Sequence, residues 1–513
     1  MAEQYSYPIM NRLIPLLLLF FSLTLSANNV AIANVEVAAD GPYARVTFDL
    51  SWDNAWRRTA APANWDAVWV FAKFRVDRGP WRHATLQGVA AAPAGAQIDV
   101  LDRKGAMVYP AAPMSGTASF PGLALAWDFH ADGFAGSGDL DFRVLGIEMV
   151  YVPEDPFYLG SGPALLEGES NETDEFYAGG SLTKQPYYVD TEAAIPVGNV
   201  AGGLYFEDSY APDGVATYRP ALRSGTIPAD FPKGYRAFYC MKHEVSQELW
   251  AEFMNTLTRT QQDARDNFDD VMNPDGDRWR NGYFLYNLGS DPGIASTNRP
   301  NLPAGHMSMY DMWALLDWAA LRPMSELEFE KAMRGPEYPL NNEFAWGAPG
   351  LFSAPLQLSS IGLGTEAIMS IDLTGLLGNA ALGTLDDAVT KVAGPLRCGI
   401  YAGSHALNNR LASGATYYGI MEMSGNQWEA LVTVTSTDGR RFTNEHGDGT
   451  LDAAGYADTA TWPATREGFG FRGGRIDNSV SFGAVADRTY TNLQISTVNT
   501  RYSWLQARGV RGL

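Results

Sequence analysis

The chain has 513 residues, a formal net charge of -21 and a pI near 4.7. Its acidity excludes a nucleic-acid partner, because phosphate binding needs a basic face. With 46% hydrophobic and 12% aromatic residues it is globular in composition, and it is long enough for two or three domains rather than one core.

The first stretch reads as an export signal over residues 1–27. Arg12 precedes the apolar run Leu13 to Leu25, and Leu25-Ser26-Ala27 offers a small-residue cleavage site before Asn28. This predicts export to the periplasm, the cell surface or the extracellular medium. No later run reaches the ~18 uninterrupted apolar residues of a membrane span, so no transmembrane segment is expected in the mature chain.

From about Asn34 to Val152 the pattern is strand after strand, with Gly, Pro and Asp turns between, which predicts a β-sandwich over 28–145. Ser51 to Arg75 is dense in tryptophan. Trp52, Trp56, Trp65 and Trp69 either fill a core, pack one domain on the next, or form a sugar-stacking platform.

A second domain is expected over 146–513, opening with the strand-like run GIEMVYV at Gly146. The polar, turn-rich residues 163–232 read as a surface insertion, and the Gly-, Leu- and Ala-rich residues 348–393 as another. Between them GYRAFYCMKHEVSQELWAEFMNTL reads strand then helix, with Ser246 as N-cap and Leu249, Trp250, Phe253, Met254 and Leu257 on one face. Further helices are expected at Ser308, paired with Asp311, and at Ser325, paired with Glu328 and stopped by Gly335. The mixture is α+β. Cys240 and Cys398 lie in apolar runs and read as separate buried thiols, with a bridge as the alternative in an oxidising compartment.

The densest site chemistry lies in ATYYGIMEMSGNQWEALVTV, Ala415 to Val434. Asn426 and Glu429 set two oxygen-bearing side chains three residues apart, a pair that suits Ca²⁺ when backbone carbonyls complete the shell. The alternative is an Asx turn with Trp428 anchored in the core.

GNQWE resembles the G-N-V-W-E signature of the formylglycine-generating-enzyme, or sulfatase-modifying factor, family. LRPMSELEFEKAMRG and the strand–helix run at Gly234 are similar to framework blocks of the same family. The resemblance implies a C-type-lectin-like α+β fold for 146–513, with a structural Ca²⁺ bound partly through the GNQWE turn. In that family an R-G-G block precedes two copper-binding cysteines, which oxidise a substrate cysteine with O₂. Here the block is FRGGRIDNSVSFGAVADRTY, and the two positions fall at Asn478 and Gly483. Cu(I) at a linear bis-thiolate site needs both sulfurs, so neither copper nor the oxidase activity is expected.

In the fold that the resemblance implies, loops near the R-G-G block line one cleft. Asn444, Glu445, His446, Asp448, Asn478, Asp487 and Arg488 are the expected ligand-cleft residues. The HGDG run at His446 reads either as an acid–base pair or as a polar turn whose carboxylates cap amides. These readings predict a non-catalytic binding or cell-surface structural module with a protein or glycan partner. The alternative is an enzyme of the same superfamily that uses the cleft for a different chemistry.

Overall fold

The expected run of strands is built as β1 (Ala31–Asp40), β2 (Tyr43–Arg57), β3 (Asp66–Val76), β4 (Arg82–His83), β5 (Leu86–Ala91), β6 (Ala96–Leu101), β7 (Gly105–Pro110), β8 (Met114–Trp127) and β9 (Leu140–Val152). These are the elements of a computed structural model that describes residues 30–513 apart from 163–174, 181–183, 207–220, 266–279, 281–282, 286–291, 353–355, 362, 373, 384–393, 404–408 and 492–496. The expected signal segment lies outside the described residues, as do parts of both expected insertions.

Later strands are β10 (Phe238–Met241), β11 (Arg322–Pro323), β12 (Trp428–Val432), β13 (Phe469–Arg472), β14 (Leu505–Ala507) and β15 (Gly509–Gly512). The helices that matter here are α1 (Gln247–Met254), α2 (Arg259–Asp263), α3 (Met309–Trp318) and α4 (Glu326–Arg334). One sheet runs β1–β2–β8–β5, and an eight-stranded sheet runs β11–β15–β10–β9–β3–β7–β6 with β4 also paired to β3. A third has the order β13–β12–β14.

The large sheet explains why DAVWVFAKFRV does not alternate between apolar and polar residues. Val68, Val70, Ala72 and Phe74 of β3 face the sandwich core with β2 and β8. Ala67, Trp69 and Phe71 face the opposite way, into a core shared with α1 and α3. A strand covered on both faces is apolar throughout, and each large side chain so buried contributes about 2–3 kcal/mol.

The N-terminal sandwich is present, but its second sheet is continuous with the region that follows. The boundary expected at 145/146 falls inside β9, whose residues Phe142 and Val144 serve the sandwich while Leu145, Ile147 and Met149 serve the other core. The tryptophans follow the packing reading. Trp52 and Trp69 are fully buried, and Trp65 is stacked on Tyr109 and Tyr151 with ring centroids 5.1 and 4.1 Å away.

Local signals set the helices. Ser246 caps α1, and both Ser308–Asp311 and Ser325–Glu328 close reciprocal capping boxes, with Gly335 ending α4. Among the described residues no helix is long and apolar enough to cross a membrane.

Candidate functional site

The GNQWE turn delivers the chain into β12. Gly425 sits at φ +99° and Asn426 at φ +63°, both in the left-handed region. A Cβ on Gly425 would stand 2.4 Å from the carbonyl oxygen of Ala381, so only glycine fits. Asn426 is a bracket between loops: its Oδ1 accepts from the Leu396 amide at 2.8 Å, and its Nδ2 donates to Glu244 and to the Leu396 carbonyl.

Glu429, in β12, is fully buried and accepts on Oε1 from both Nε and Nη2 of Arg508, at 2.9 and 2.6 Å. Arg508 also donates to the carbonyls of Met241 and Met421, each at 2.9 Å, tying β10, the turn and the C-terminal strands together. Two further carboxylates lie close by. Glu244 accepts from the Gln427 amide at 3.1 Å, and Glu422 accepts from the Gly399 amide at 2.7 Å while His243 Nδ1 stands 3.3 Å away.

Burial dominates the electrostatics of this cluster. It pushes Glu244 well above the usual carboxylate range, with the Glu422 charge adding to it, and it raises Glu429 against the pull of Arg508. It draws His243 down to about 4, opposed by Glu422. For Arg508 burial acts downward, but the Glu429 carboxylate outweighs it and holds the guanidinium protonated.

The expected calcium pair does not fit this geometry. A calcium shell needs six to eight oxygens; the Asn426 oxygen is taken by an amide, and the positive charge beside Glu429 is already supplied by Arg508. Oε2 of Glu429 and both ends of the Gln427 side-chain amide are left without a partner among the described residues. Among the described residues, the three carboxylates whose oxygens all lie within 4.8 Å of one another are Asp317, Asp448 and Asp458. There the two oxygens of Asp317 accept the amides of Asp448 and Asp458, at 3.0 and 3.1 Å, and burial pushes the Asp317 carboxyl up to about 7.

At the positions matched to the copper cysteines, Asn478 follows a turn in which its amide donates to Arg475 at 3.0 Å. Gly483 is packed so tightly that a Cβ would stand 2.3 Å from Cδ2 of Leu382. The two cysteines the chain does have are unpaired and buried, and burial raises both thiols. Cys240 lies in β10 and Cys398 beside Glu244, whose carbonyl it contacts.

The seven residues expected to share a cleft are divided among separate environments. Asn444 and Glu445 line a cleft of about 650 Å³ with Arg322, Glu328, Arg236 and Glu192. His446 accepts the Gly512 amide at 2.9 Å, and Asp448 caps the Thr450 amide, which is the polar-turn reading of HGDG. Arg488 is buried, ion-paired with Glu326 and laid over Phe176 and Phe206, while Asp487 accepts from Thr489. Neither they nor Asn478 line the Asn444 cleft. The residues missed were Glu244, Glu422, His243 and Arg508. Glu244 and His243 lie inside the quoted FYCMKHEV block, but nothing in the spacing ties them to a turn more than 170 positions away.

The α+β architecture and the GNQWE turn define a protein class, and the family comparison agrees with it. The model of the sulfatase-modifying factor enzyme 1-like domain matches residues 183–496, more than half of the chain, and the chain belongs to that family. A solved structure, that of PvdO from Pseudomonas aeruginosa, is similar at 13% identity over 72% of this chain and 95% of its own, with a TM-score of 0.29. No curated relative matches the chain.

Proposed function

We propose that the chain is an exported, non-catalytic member of the sulfatase-modifying factor family, acting as a binding or cell-surface structural module. The observation that carries this is at the oxidase positions: an amide stands at Asn478, and Gly483 has no side chain to offer. His243 and Glu244 border a cavity of about 40 Å³, which is room for water and not for a substrate. The segment Arg12 to Ala27 supports export.

The test is to incubate the full chain with copper, O₂ and a cysteine-containing sulfatase peptide and to assay the product by mass. The expected result is unmodified peptide. Turnover to the aldehyde would overturn the proposal.

A further inference from the structure

A second cleft, of about 470 Å³, lies where the sandwich meets the helices, and it shares no lining residue with the cleft at Asn444. The β3–β4 hairpin, the turn at Lys104, the α1–α2 connection and the loop at Gly449 form its walls. In a chain of net charge -21, the charged side chains gathered here are mostly basic.

Arg82 and Lys104 both line the cleft, and neither makes an ion pair among the described residues. Arg82 lies over the Phe74 ring and spends Nη1 on the Asp132 carbonyl at 2.8 Å. The acid in the wall, Asp132, is already committed: its carboxylate accepts from the Thr85 amide, the Thr85 hydroxyl and the Trp127 indole, at 2.8, 2.6 and 2.6 Å.

Lys73 forms part of the floor and is almost wholly buried. Its Nζ donates to the carbonyls of Trp318 and Gly449 at 2.7 and 2.6 Å, which leaves one N–H of three. Burial holds its pKa well below the ordinary lysine value, against Asp317 and Asp448; the third N–H belongs to the protonated form alone, which a bound oxyanion favours. The indole N–H of Trp81, in the same wall, is buried with no acceptor among the described residues. A buried donor without an acceptor is uncommon and costs about 1–3 kcal/mol.

We propose that this cleft binds a small ligand through an oxyanion group, a carboxylate, phosphate or sulfate, held by Arg82 and Lys104 with Trp81 and Lys73 as further donors. An oxyanion matches these four donors in sign and in hydrogen bonding. The guanidinium fork takes such a group in bidentate fashion, and Lys104 adds a point charge. The volume lies within the usual range for small-molecule sites, which favour junctions between structural units. Neither Asn478 nor Gly483 lines this cleft, so it would stand whether or not the family domain is catalytic.

The test is calorimetric titration of the full chain with inorganic phosphate, inorganic sulfate, D-glucuronate and, as a neutral control, D-glucose. At least one oxyanion should bind in the millimolar range or tighter, more weakly as salt is raised, and glucose should not. Whichever oxyanion binds identifies the group. Lys104→Ala should weaken binding severalfold, and the Arg82→Glu, Lys104→Glu double variant by about tenfold or more, with melting curves showing both folded. The proposal is overturned if no oxyanion binds at about 10 mM, if glucose binds as well as glucuronate, or if Lys104→Ala binds undiminished.

Discussion

Replacing Arg508 by methionine removes the one positive charge that contacts Glu429 among the described residues while keeping much of the stem volume. In the native chain Glu429 is fully buried and receives two bonds from Arg508, which also satisfies the carbonyls of Met241 and Met421. Breaking a buried pair by deleting one partner costs about 3–5 kcal/mol, because an unpaired charge remains in the interior. The two abandoned carbonyls push the estimate to the upper end of that range. Removing both charges with Glu429→Met, Arg508→Met takes away the stranded carboxylate, so the double variant should recover about 2 kcal/mol relative to the sum of the singles. Urea unfolding of wild type, both singles and the double, followed by intrinsic fluorescence, closes the cycle. A loss below about 1 kcal/mol in Arg508→Met, or a coupling energy near zero, would refute the reasoning that this guanidinium neutralises the turn.

Because Arg508 supplies the counter-charge, calcium and chelator should leave the wild-type melting temperature unchanged. A bound ion at about one hundred times its Kd would instead add about 3 kcal/mol, readily seen as a shift on chelation. Gly425→Ala combines a disfavoured positive φ with a Cβ 2.4 Å from the Ala381 oxygen, so it should cost about 3 kcal/mol or more; a near-neutral melt would contradict the turn geometry. His243 is held at about 4 in the fold against 6.5 unfolded. The unfolded chain therefore binds a proton that the fold does not between those values, and this stability is present above pH 6.5 and lost as pH falls through 4. The difference in unfolding free energy between wild type and His243→Gln should change by about 3 kcal/mol across that window; a constant difference would show that His243 is not buried in the neutral form.

Local chemistry made much of the fold legible. The caps at Ser246, Ser308 and Ser325 depend on residues at most three positions away, and the structure has all three. The run of strands in the first unit was also legible, because β-rich segments bounded by Gly, Pro and Asp turns are local signals, even where β3 is apolar throughout. What the residues did not disclose is long-range pairing. Glu429 is 79 positions from Arg508 and Asn426 is 182 from Glu244, so two plausible calcium ligands proved to be spoken for by groups that no spacing connects to them. The boundary at 145/146 was obscured for a related reason: β9 pairs β3 on one side and β10 on the other, and a strand used by two units shows no break in composition. The seven polar residues were grouped by nearness to the R-G-G block, whereas Arg488 is drawn into the core by Glu326 and Asp448 is held at Asp317.

The most direct measurement of the central claim is Cu(I) binding by the full chain under reducing conditions, in competition with a chromogenic chelator. With Asn478 and Gly483 at the oxidase positions and both cysteines buried elsewhere, the chain should leave all of the copper with the chelator. Retention of one equivalent of Cu(I), lost in a Cys240→Ser or Cys398→Ser variant, would contradict the account.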